Sequence, residues 1–257
     1  MKNRENIISL YTIVEREIKR TLRIWLQTLI PPVITMSLYL VIFGNFIGSQ
    51  IKGIGGFSYM EFIVPGLIMM AVITNSYSNV VSSFYSAKFM KSIEELFVSP
   101  TPSWVIVTGY MLGGIARGLM VGLLVTIGSL FFAAPHIYNI FIVILFVILT
   151  SAVFSLAGMI NGILARSFDD ISIIPTFVLT PLTYLGGVFY SISLLPDFWQ
   201  KLSKLNPILY MVNGFRYGFL GISDINAVFG LIMLVIFAVL LFCANLYMLK
   251  KGIRIKT

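Results

Sequence analysis

The chain has 257 residues, of which 58% are hydrophobic and only 11% are charged, and its mean hydropathy is +0.95. Soluble domains carry roughly 25% charged residues, so this composition excludes an ordinary soluble protein and indicates an integral membrane protein. The net charge of +8 is explained by the membrane topology described below rather than by a nucleic-acid-binding surface. The single cysteine, Cys243, excludes an internal disulfide.

Residues 1–25 predict an amphipathic helix that lies on the membrane surface. Basic side chains such as Arg16 and Arg23 fall between the apolar positions, and Trp25 would sit at the headgroup level, where tryptophan is enriched. A solvated leader with a fortuitous apolar pattern is the alternative. The apolar residues recur at three- and four-residue spacing and are Ile7, Tyr11, Val14, Ile18, Leu22 and Trp25.

Six long runs with almost no charge predict six transmembrane helices, since about 20 apolar residues suffice to cross the ~30 Å hydrocarbon layer. These runs are 26–47, 62–87, 104–132, 138–165, 171–190 and 227–249. The predicted fold is therefore an all-α integral membrane protein with a single transmembrane domain over residues 1–257.

The lysines and arginines predict the orientation, because cytoplasmic loops carry an excess of them. Both ends of the chain and the two loops near residues 90 and 166 hold most of these cations, so both termini are expected in the cytoplasm. The segments on the outer side hold the few that remain, which are Lys52, Lys201, Lys204 and Arg216.

Between the last two spans the chain is apolar but broken by Pro181, Gly186-Gly187, Pro196 and Asn206-Pro207. Every backbone polar group in hydrocarbon needs a protein partner, so a broken backbone persists there only where it packs on protein or lines a cavity. We therefore expect residues 191–222 to form a re-entrant hairpin of two short helices at the outer surface. Arg216 is expected to hold it by bonding carbonyls at the Asn206-Pro207 break.

An enzymatic function is not favoured by the sequence. The phosphate-binding G-x-x-x-x-G-K-[ST] loop and the H-E-x-x-H zinc motif are both absent, and His136 is the one histidine. Asp169 and Asp170 are adjacent, so they point in different directions on a helix and are expected to cap the start of the fifth span.

Arg117 is the one charge in the middle of a predicted span. A central arginine costs roughly 2.5–3.5 kcal/mol on insertion scales, so it needs a partner or water. Either it is buried in a close helix contact and bonds to carbonyls, or it lies on a path for an anionic headgroup. The neighbouring glycines, which allow helices to approach closely, are Gly109, Gly113, Gly114, Gly118 and Gly122.

Residues 84–103 on the inner side form the stronger functional candidate. Phe89, Ile93 and Phe97 make an apolar stripe with no evident partner within the chain, and Pro100 and Pro102 end the helix. Such a short amphipathic helix either docks in a groove of another protein or rests on the lipid surface. Its charged residues are Lys88, Lys91, Glu94 and Glu95.

These features resemble the permease subunits of ABC-2 type transporters, and the resemblance covers essentially the whole chain. It rests on the 93–100 segment IEELFVSP and on a set of residues near the broken stretch. That set comprises the run 186–190, Leu195, Pro196, Trp199, Asn206, Pro207, Tyr210, Arg216 and Gly221.

The resemblance implies a homodimeric exporter permease of the bacterial inner membrane, coupled to two copies of a separate ATPase that binds ATP and Mg²⁺. This chain would hold no cofactor and would contact membrane lipid but no nucleic acid. The implied ATPase-coupling residues are Phe89, Lys91, Ile93, Glu94, Glu95 and Phe97. The implied substrate-pathway residues are Tyr39, Phe43, Tyr184, Phe189 and Tyr190. The implied outer gate is the hairpin, with Pro196, Trp199, Asn206, Pro207, Tyr210 and Arg216.

An autonomous channel or ion-coupled carrier, with Arg117 and Glu61 as coupling groups, is the alternative function. The family includes exporters of polysaccharides, glycolipids and drugs, and the sequence does not select among them.

Overall fold

Helices account for nearly all of the chain in the computed structural model, which describes residues 2–48, 53–133 and 136–254. Within those ranges the one extended pairing is an isolated bridge between Ile54 and Phe57. The helices are α1 Lys2–Arg23, α2 Trp25–Thr28, α3 Ile30–Tyr39, α4 Tyr59–Phe89, α5 Ser92–Val98, α6 Ser103–Ser129, α7 Ile140–Leu164, α8 Phe168–Ile174, α9 Thr180–Tyr184, α10 Asp197–Lys204, α11 Pro207–Leu220 and α12 Ala227–Lys251. Two π-helices, Leu40–Ile47 and Pro175–Leu179, follow α3 and α8, and a 3₁₀ turn, Ile192–Leu194, precedes α10.

Five helices among the described residues are long and apolar enough to cross a membrane, which confirms the predicted all-α membrane class. They match the first, second, third, fourth and sixth predicted spans to within a few residues. Their bounds are Trp25–Gly44, Tyr59–Phe89, Ser103–Ser129, Ile140–Leu164 and Ala227–Lys251.

The predicted fifth span is shorter than expected and irregular. It consists of α8, the π-helix and α9, with seven, five and five residues, and it ends at Tyr184 rather than at Tyr190. Pro175 and Pro181 remove backbone donors within it, and local π-helical turns are one way in which membrane helices accommodate such gaps. The chain then turns at Gly186-Gly187, where Gly187 has a φ of 71° that favours glycine.

Helix α4 is the centre of the molecule and packs against α6, α7 and α11. In its most apolar window 78% of the residues are buried, compared with 11% in α12, so α12 lies at the periphery. Glycine makes the central contact with α7 possible, because a Cβ atom on Gly158 would lie 2.6 Å from the backbone oxygen of Tyr77. Close backbone approach of this kind is the usual way membrane helices pack.

Helix α1 forms over the range predicted for the surface helix, but it also packs on the transmembrane bundle. A Cβ atom on Gly109 would lie 2.6 Å from Ile13, and one on Gly113 would lie 2.6 Å from Glu17, so α1 fits into a glycine-lined groove of α6. Of the predicted stripe, Ile7, Tyr11 and Leu22 on α1 and Trp25 on α2 are exposed.

Both ends of the described chain meet at one face of the bundle. Ile13 of α1, Ile93 of α5 and Leu249 of α12 belong to one buried cluster, together with Phe84 near the end of α4. We call this the terminal face.

Candidate functional site

Four of the five predicted pathway aromatics come together in one cluster at the end of the bundle opposite the terminal face. The ring of Phe189 lies 4.7 Å from that of Phe43, 5.7 Å from that of Tyr39 and 5.8 Å from that of Tyr184. The hydroxyls of Tyr39 and Tyr184 are 3.0 Å apart and share a hydrogen bond across 145 residues of sequence. We call these four residues the aromatic cluster.

The aromatic cluster joins the first predicted span to the fifth and remains partly open. The ring of Tyr184 is 40% exposed, and those of Tyr39, Phe43 and Phe189 are half-buried. Each aromatic pair is worth about 0.5–1.5 kcal/mol beyond the area it buries, so the cluster both stabilises this contact and presents apolar rings with two hydroxyls. Tyr190, the fifth predicted residue, follows Phe189 in the sequence and is half-buried.

Arg216 is buried, with 1% of its surface exposed, and it fixes the turn that follows α9. Its Nη2 donates to the carbonyls of Gly187 and Val188 at 2.7 and 3.3 Å, and its Nε donates to the carbonyl of Phe62 at 3.3 Å. The guanidinium carbon lies 3.9 Å from the centre of the Phe62 ring, in a cation–π contact. Arg216 therefore ties α11 to the glycine turn and to α4.

The expectation that Arg216 bonds carbonyls at the Asn206-Pro207 break is wrong. Asn206 serves that break itself, since its Oδ1 accepts from the backbone N–H of Ile208 at 3.0 Å and its Nδ2 donates to the carbonyl of Leu182 at 2.6 Å. Pro207 occupies the first turn of α11, where a missing N–H leaves no bond unmade. The break is thus a capped helix start that needs no arginine.

The other predicted hairpin residues flank this region. Pro196 precedes α10 as its N-cap, and Trp199 on α10 is 45% exposed and packs edge-on against Phe198. The hydroxyl of Tyr210 donates to the carbonyl of Lys204 at 2.7 Å, which joins α11 to the end of α10.

The inner segment lies on the terminal face, as a short helix separated from α4 by a sharp turn. Lys91 adopts a left-handed conformation with a φ of 59°, which interrupts the helix between Phe89 and Ser92. Glu94 and Glu95 are exposed on α5, and Phe97 is 36% exposed.

The expectation that the apolar stripe has no partner within the chain is wrong for two of its residues. Ile93 is 2% exposed and belongs to the buried cluster that also contains Ile13 and Phe84. The ring of Phe89 lies 5.1 Å from that of Phe168, although Phe89 remains 63% exposed. The sequence could not separate these cases, because a stripe that faces the core and one that faces a partner have the same spacing.

The sequence reasoning also missed a polar network built around Glu17. Its carboxylate is 1% exposed and accepts hydrogen bonds from Ser83 at 2.7 Å, Arg20 at 3.1 Å and Arg16 at 3.4 Å. Arg20 also donates to Asn79 Oδ1 at 2.7 Å, which links α1 to α4. The sequence did carry one signal for this contact between α1 and α6. Ile13 and Glu17 on α1 have the same four-residue spacing as Gly109 and Gly113 on α6. On the exposed side of α1, an ion pair with Glu15 raises the pKa of Lys19.

Known proteins resemble this chain along nearly its entire length. The profile of the ABC-2 type transporter family matches residues 8–220. The chain belongs to the ABC-2 type transporter family. The inner membrane transport permease YadH of Escherichia coli K12 is 59% identical over 249 residues, which cover 96% of this chain and 97% of YadH. Nodulation protein J of Rhizobium leguminosarum bv. viciae is 23% identical over 215 residues, or 83% of each chain.

This ABC-2 chain is thus a multi-pass membrane transport permease, and its relative YadH is named an inner membrane transport permease rather than an ATPase. The resemblance to the family, which rested on the broken stretch and the IEELFVSP segment, is confirmed.

Two interpretations of Arg117 on α6 were open, and in this ABC-2 permease its environment agrees with the first, burial in a close helix contact. Arg117 Nη2 donates to Asn75 Oδ1 at 3.0 Å and to the carbonyl of Thr28 at 3.4 Å. Glu61, its proposed coupling partner in an ion-driven carrier, instead forms a capping box with Ser58 at the start of α4. The two residues therefore have separate local partners, which gives the carrier alternative no support.

Asp170 caps the start of α8, as predicted. Ser167 and Asp170 form a reciprocal capping box, and Asp170 also accepts from the backbone N–H of Arg166 at 2.8 Å.

Asp224 has an analogous role that the sequence did not reveal. It accepts from the Ser191 hydroxyl at 2.5 Å and the Ile192 backbone N–H at 3.0 Å, which joins the two ends of the 191–222 segment.

The Arg216 contacts predict a strong dependence of stability on this side chain. In Arg216→Met the carbonyls of Gly187, Val188 and Phe62 lose their shared donor, and each buried carbonyl left unpaired costs about 1–3 kcal/mol. We expect a clear fall in Tm for the purified protein in detergent, measured by thermal unfolding. Arg216→Lys should recover part of the loss, since it keeps the charge but lacks the planar fork.

The matched control is Lys204→Met, which removes an exposed cation from the neighbouring helix α10. Its Tm should equal that of the wild type. Equal Tm values for Arg216→Met and Lys204→Met would show that Arg216 does not hold the glycine turn.

Proposed function

We propose that this permease is the membrane-spanning half of an ATP-driven exporter. Two copies form the substrate pathway, and each docks one copy of a separate cytoplasmic ATPase, which binds ATP and Mg²⁺. The observation that carries this proposal is the construction of α5. It exposes acidic and aromatic side chains on the terminal face while Ile93 anchors it in the core.

This anchoring makes α5 suited to transmitting movement. Force applied to Glu94 or Glu95 would reach α4 through the two-residue turn Met90-Lys91, and it would reach α1 and α6 through the cluster around Ile93. The Glu17 network ties α1 to α4 and α6 by further hydrogen bonds. ATPase closure would thereby move several transmembrane helices together.

We infer six membrane crossings, with residues 168–184 as the fifth. Phe168 contacts Tyr85 near the end of α4, whereas the carbonyl of Phe189, just beyond α9, accepts from the hydroxyl of Tyr59 at the start of α4. The segment therefore runs beside most of the length of a 31-residue membrane helix. Six crossings agree with two chain ends at one face, which we place in the cytoplasm because of its many cations.

Residues 191–222 are proposed to form the re-entrant hairpin that serves as an outer gate. Helix α11 is almost entirely buried and begins at Asn206, whose side chain reaches Leu182 on α9. It ends at Gly221, which lies against Tyr138 just before α7. This placement supports a helix that returns to the outer surface after the chain has dipped into the protein.

The substrate pathway is proposed to run along the first and fifth crossings, where two copies of the chain meet. The first crossing is only 22% buried in its most apolar window, and the π-helix Pro175–Leu179 has no buried residue. The aromatic cluster stands at the outer end of this surface, and Tyr190 follows its member Phe189 in the sequence. Its rings and hydroxyls suit a substrate with both apolar and hydroxylated groups.

The topology predicts which side each end of the chain faces. After replacement of Cys243 by serine, cysteines at Arg4 and Lys250 should be protected from impermeant thiol reagents in intact spheroplasts. A cysteine at Lys201 on α10 should react. Labelling of position 4 or 250 from outside would contradict the cytoplasmic assignment, and protection of position 201 would contradict the exposed outer segment.

The coupling proposal predicts that reversing two charges uncouples transport. In Glu94→Lys/Glu95→Lys we expect loss of ATPase co-purification and of export, because like charges at a desolvated contact cost several kcal/mol. The matched control is Glu5→Lys/Glu15→Lys, which reverses two acidic residues of α1. The permease should still insert in the membrane in both cases. Normal ATPase binding and export by the α5 variant would refute docking at this helix.

The pathway proposal predicts a transport defect without loss of ATPase binding. Tyr184→Ala removes a partly exposed ring and its hydrogen bond to Tyr39, so substrate-stimulated ATP hydrolysis in proteoliposomes should fall severalfold. Tyr247→Ala removes an exposed tyrosine near the terminal face and should leave this stimulation unchanged. The same stimulation in both variants would place the pathway elsewhere.

A further inference from the structure

We propose that a basic cavity on the terminal face binds the headgroup of an anionic phospholipid of the inner leaflet. The cavity has a volume of about 450 Å³ and lies between the end of α4, the start of α5 and the turn from α7 to α8. Four cations line it, namely Lys88, Lys91, Arg166 and Arg254, together with one acid, Glu94. We call it the basic cavity. It does not depend on the proposed export function, but it rests on the proposed placement of the terminal face in the cytoplasm.

Two of the cations are brought into the cavity by the end of α7. The ammonium group of Lys88 donates to the carbonyls of Ile163 and Ala165 at 2.7 and 2.8 Å, and Arg254 donates to the carbonyl of Leu164 at 2.6 Å. Cations at a helix C-terminus are stabilised by the helix dipole and satisfy its last carbonyls. Lys88 and Arg254 therefore converge on three consecutive residues for a structural reason.

The cavity nevertheless retains an excess of positive charge. The backbone contacts occupy two of the three donors of Lys88 and one of the five of Arg254. Lys91 and Arg166 are exposed beside them. In the part of the chain that the structure describes, the ion pairs involve other cations, namely Arg16, Lys19 and Arg20. A bound anion would relieve the repulsion among the four groups and use their remaining donors.

An apolar aromatic surface borders the same cavity. Phe89 is 63% exposed and Phe168 is 51% exposed, and their rings pack 5.1 Å apart. The ring of Tyr85 lies 4.9 Å from that of Phe168 and completes the surface. Inorganic phosphate would leave these rings exposed to water, whereas a phospholipid would place its phosphate among the cations and its glycerol and upper acyl chain against the rings.

The position of the cavity relative to the membrane agrees with this ligand. It lies where α4 and α7 end and where the chain leaves α12, and the ends of membrane-length helices lie at the headgroup level. Basic pockets between transmembrane helices on the cytoplasmic side are a known way of holding acidic headgroups. Phe89 and Lys91 border both this cavity and the proposed coupling helix, so the ATPase is the competing occupant.

The test compares lipids of different charge on the full-length permease in detergent. Native mass spectrometry would measure the apparent Kd for phosphatidylglycerol and phosphatidylcholine, with inorganic phosphate as a separate ligand. We expect phosphatidylglycerol to bind more tightly than the other two. In Lys91→Asn/Arg166→Gln its binding should weaken on the order of tenfold, since each cation near an anionic lipid surface contributes favourably. Asparagine is chosen at position 91 because it tolerates the left-handed conformation.

The matched control is Lys250→Gln/Lys251→Gln, which removes two cations from the end of α12 without changing the residues that line the cavity. This variant should keep the affinity of the wild type for phosphatidylglycerol. Unchanged phosphatidylglycerol binding in the cavity variant, or an equal loss in the control, would overturn the proposal. It would also be overturned if the cavity variant lost ATPase co-purification while its lipid affinity stayed the same, or if inorganic phosphate bound as tightly as the lipid.

Discussion

The need to pair every backbone polar group within a membrane governs the structure beyond α9. The chain turns at Gly186-Gly187, and the carbonyls of Gly187 and Val188 accept from the guanidinium of Arg216. One side chain thus replaces bonds that an unbroken helix would have made at this turn. The same group also reaches the carbonyl of Phe62 on α4. A buried charge becomes acceptable because three carbonyls and an aromatic face surround it. This arrangement positions α11, and with it the aromatic cluster beside the turn.

Close approach of backbones supplies the rest of the packing. Lipid offers no hydrophobic driving force between helices, so contacts depend on fit and on hydrogen bonds. Gly158 lets α7 meet the backbone of α4 near Tyr77, and Gly113 admits Glu17 of α1. The bundle is consequently held by small residues at its centre and by polar networks at its terminal face.

The sequence allowed the fold class, five of the helices and the family to be predicted, because long apolar runs and the motifs around Pro196 and Asn206-Pro207 are local signals. Four of the aromatics that the resemblance implied for the substrate pathway lie close together, and their role in a pathway stays a prediction. The partners of Arg216 were not predicted, because a carbonyl acceptor leaves no mark on side-chain identity. For a related reason, Glu17 was overlooked and Ile93 was wrongly expected to have no partner within the chain. An amphipathic helix can bury part of its polar face against protein, and periodicity alone does not reveal the neighbour.

The contact between α1 and the bundle determines what removal of the amino-terminal segment would do. Without α1, Ser83 would lose its carboxylate acceptor, Asn79 would lose its guanidinium donor, and the groove at Gly109 and Gly113 would open to lipid or water. Hydrocarbon chains could fill the groove but could not satisfy the polar groups. The amino-terminal segment is thus an integral layer of the membrane domain. A truncated chain that begins at the first transmembrane helix would expose a polar seam in its own bundle.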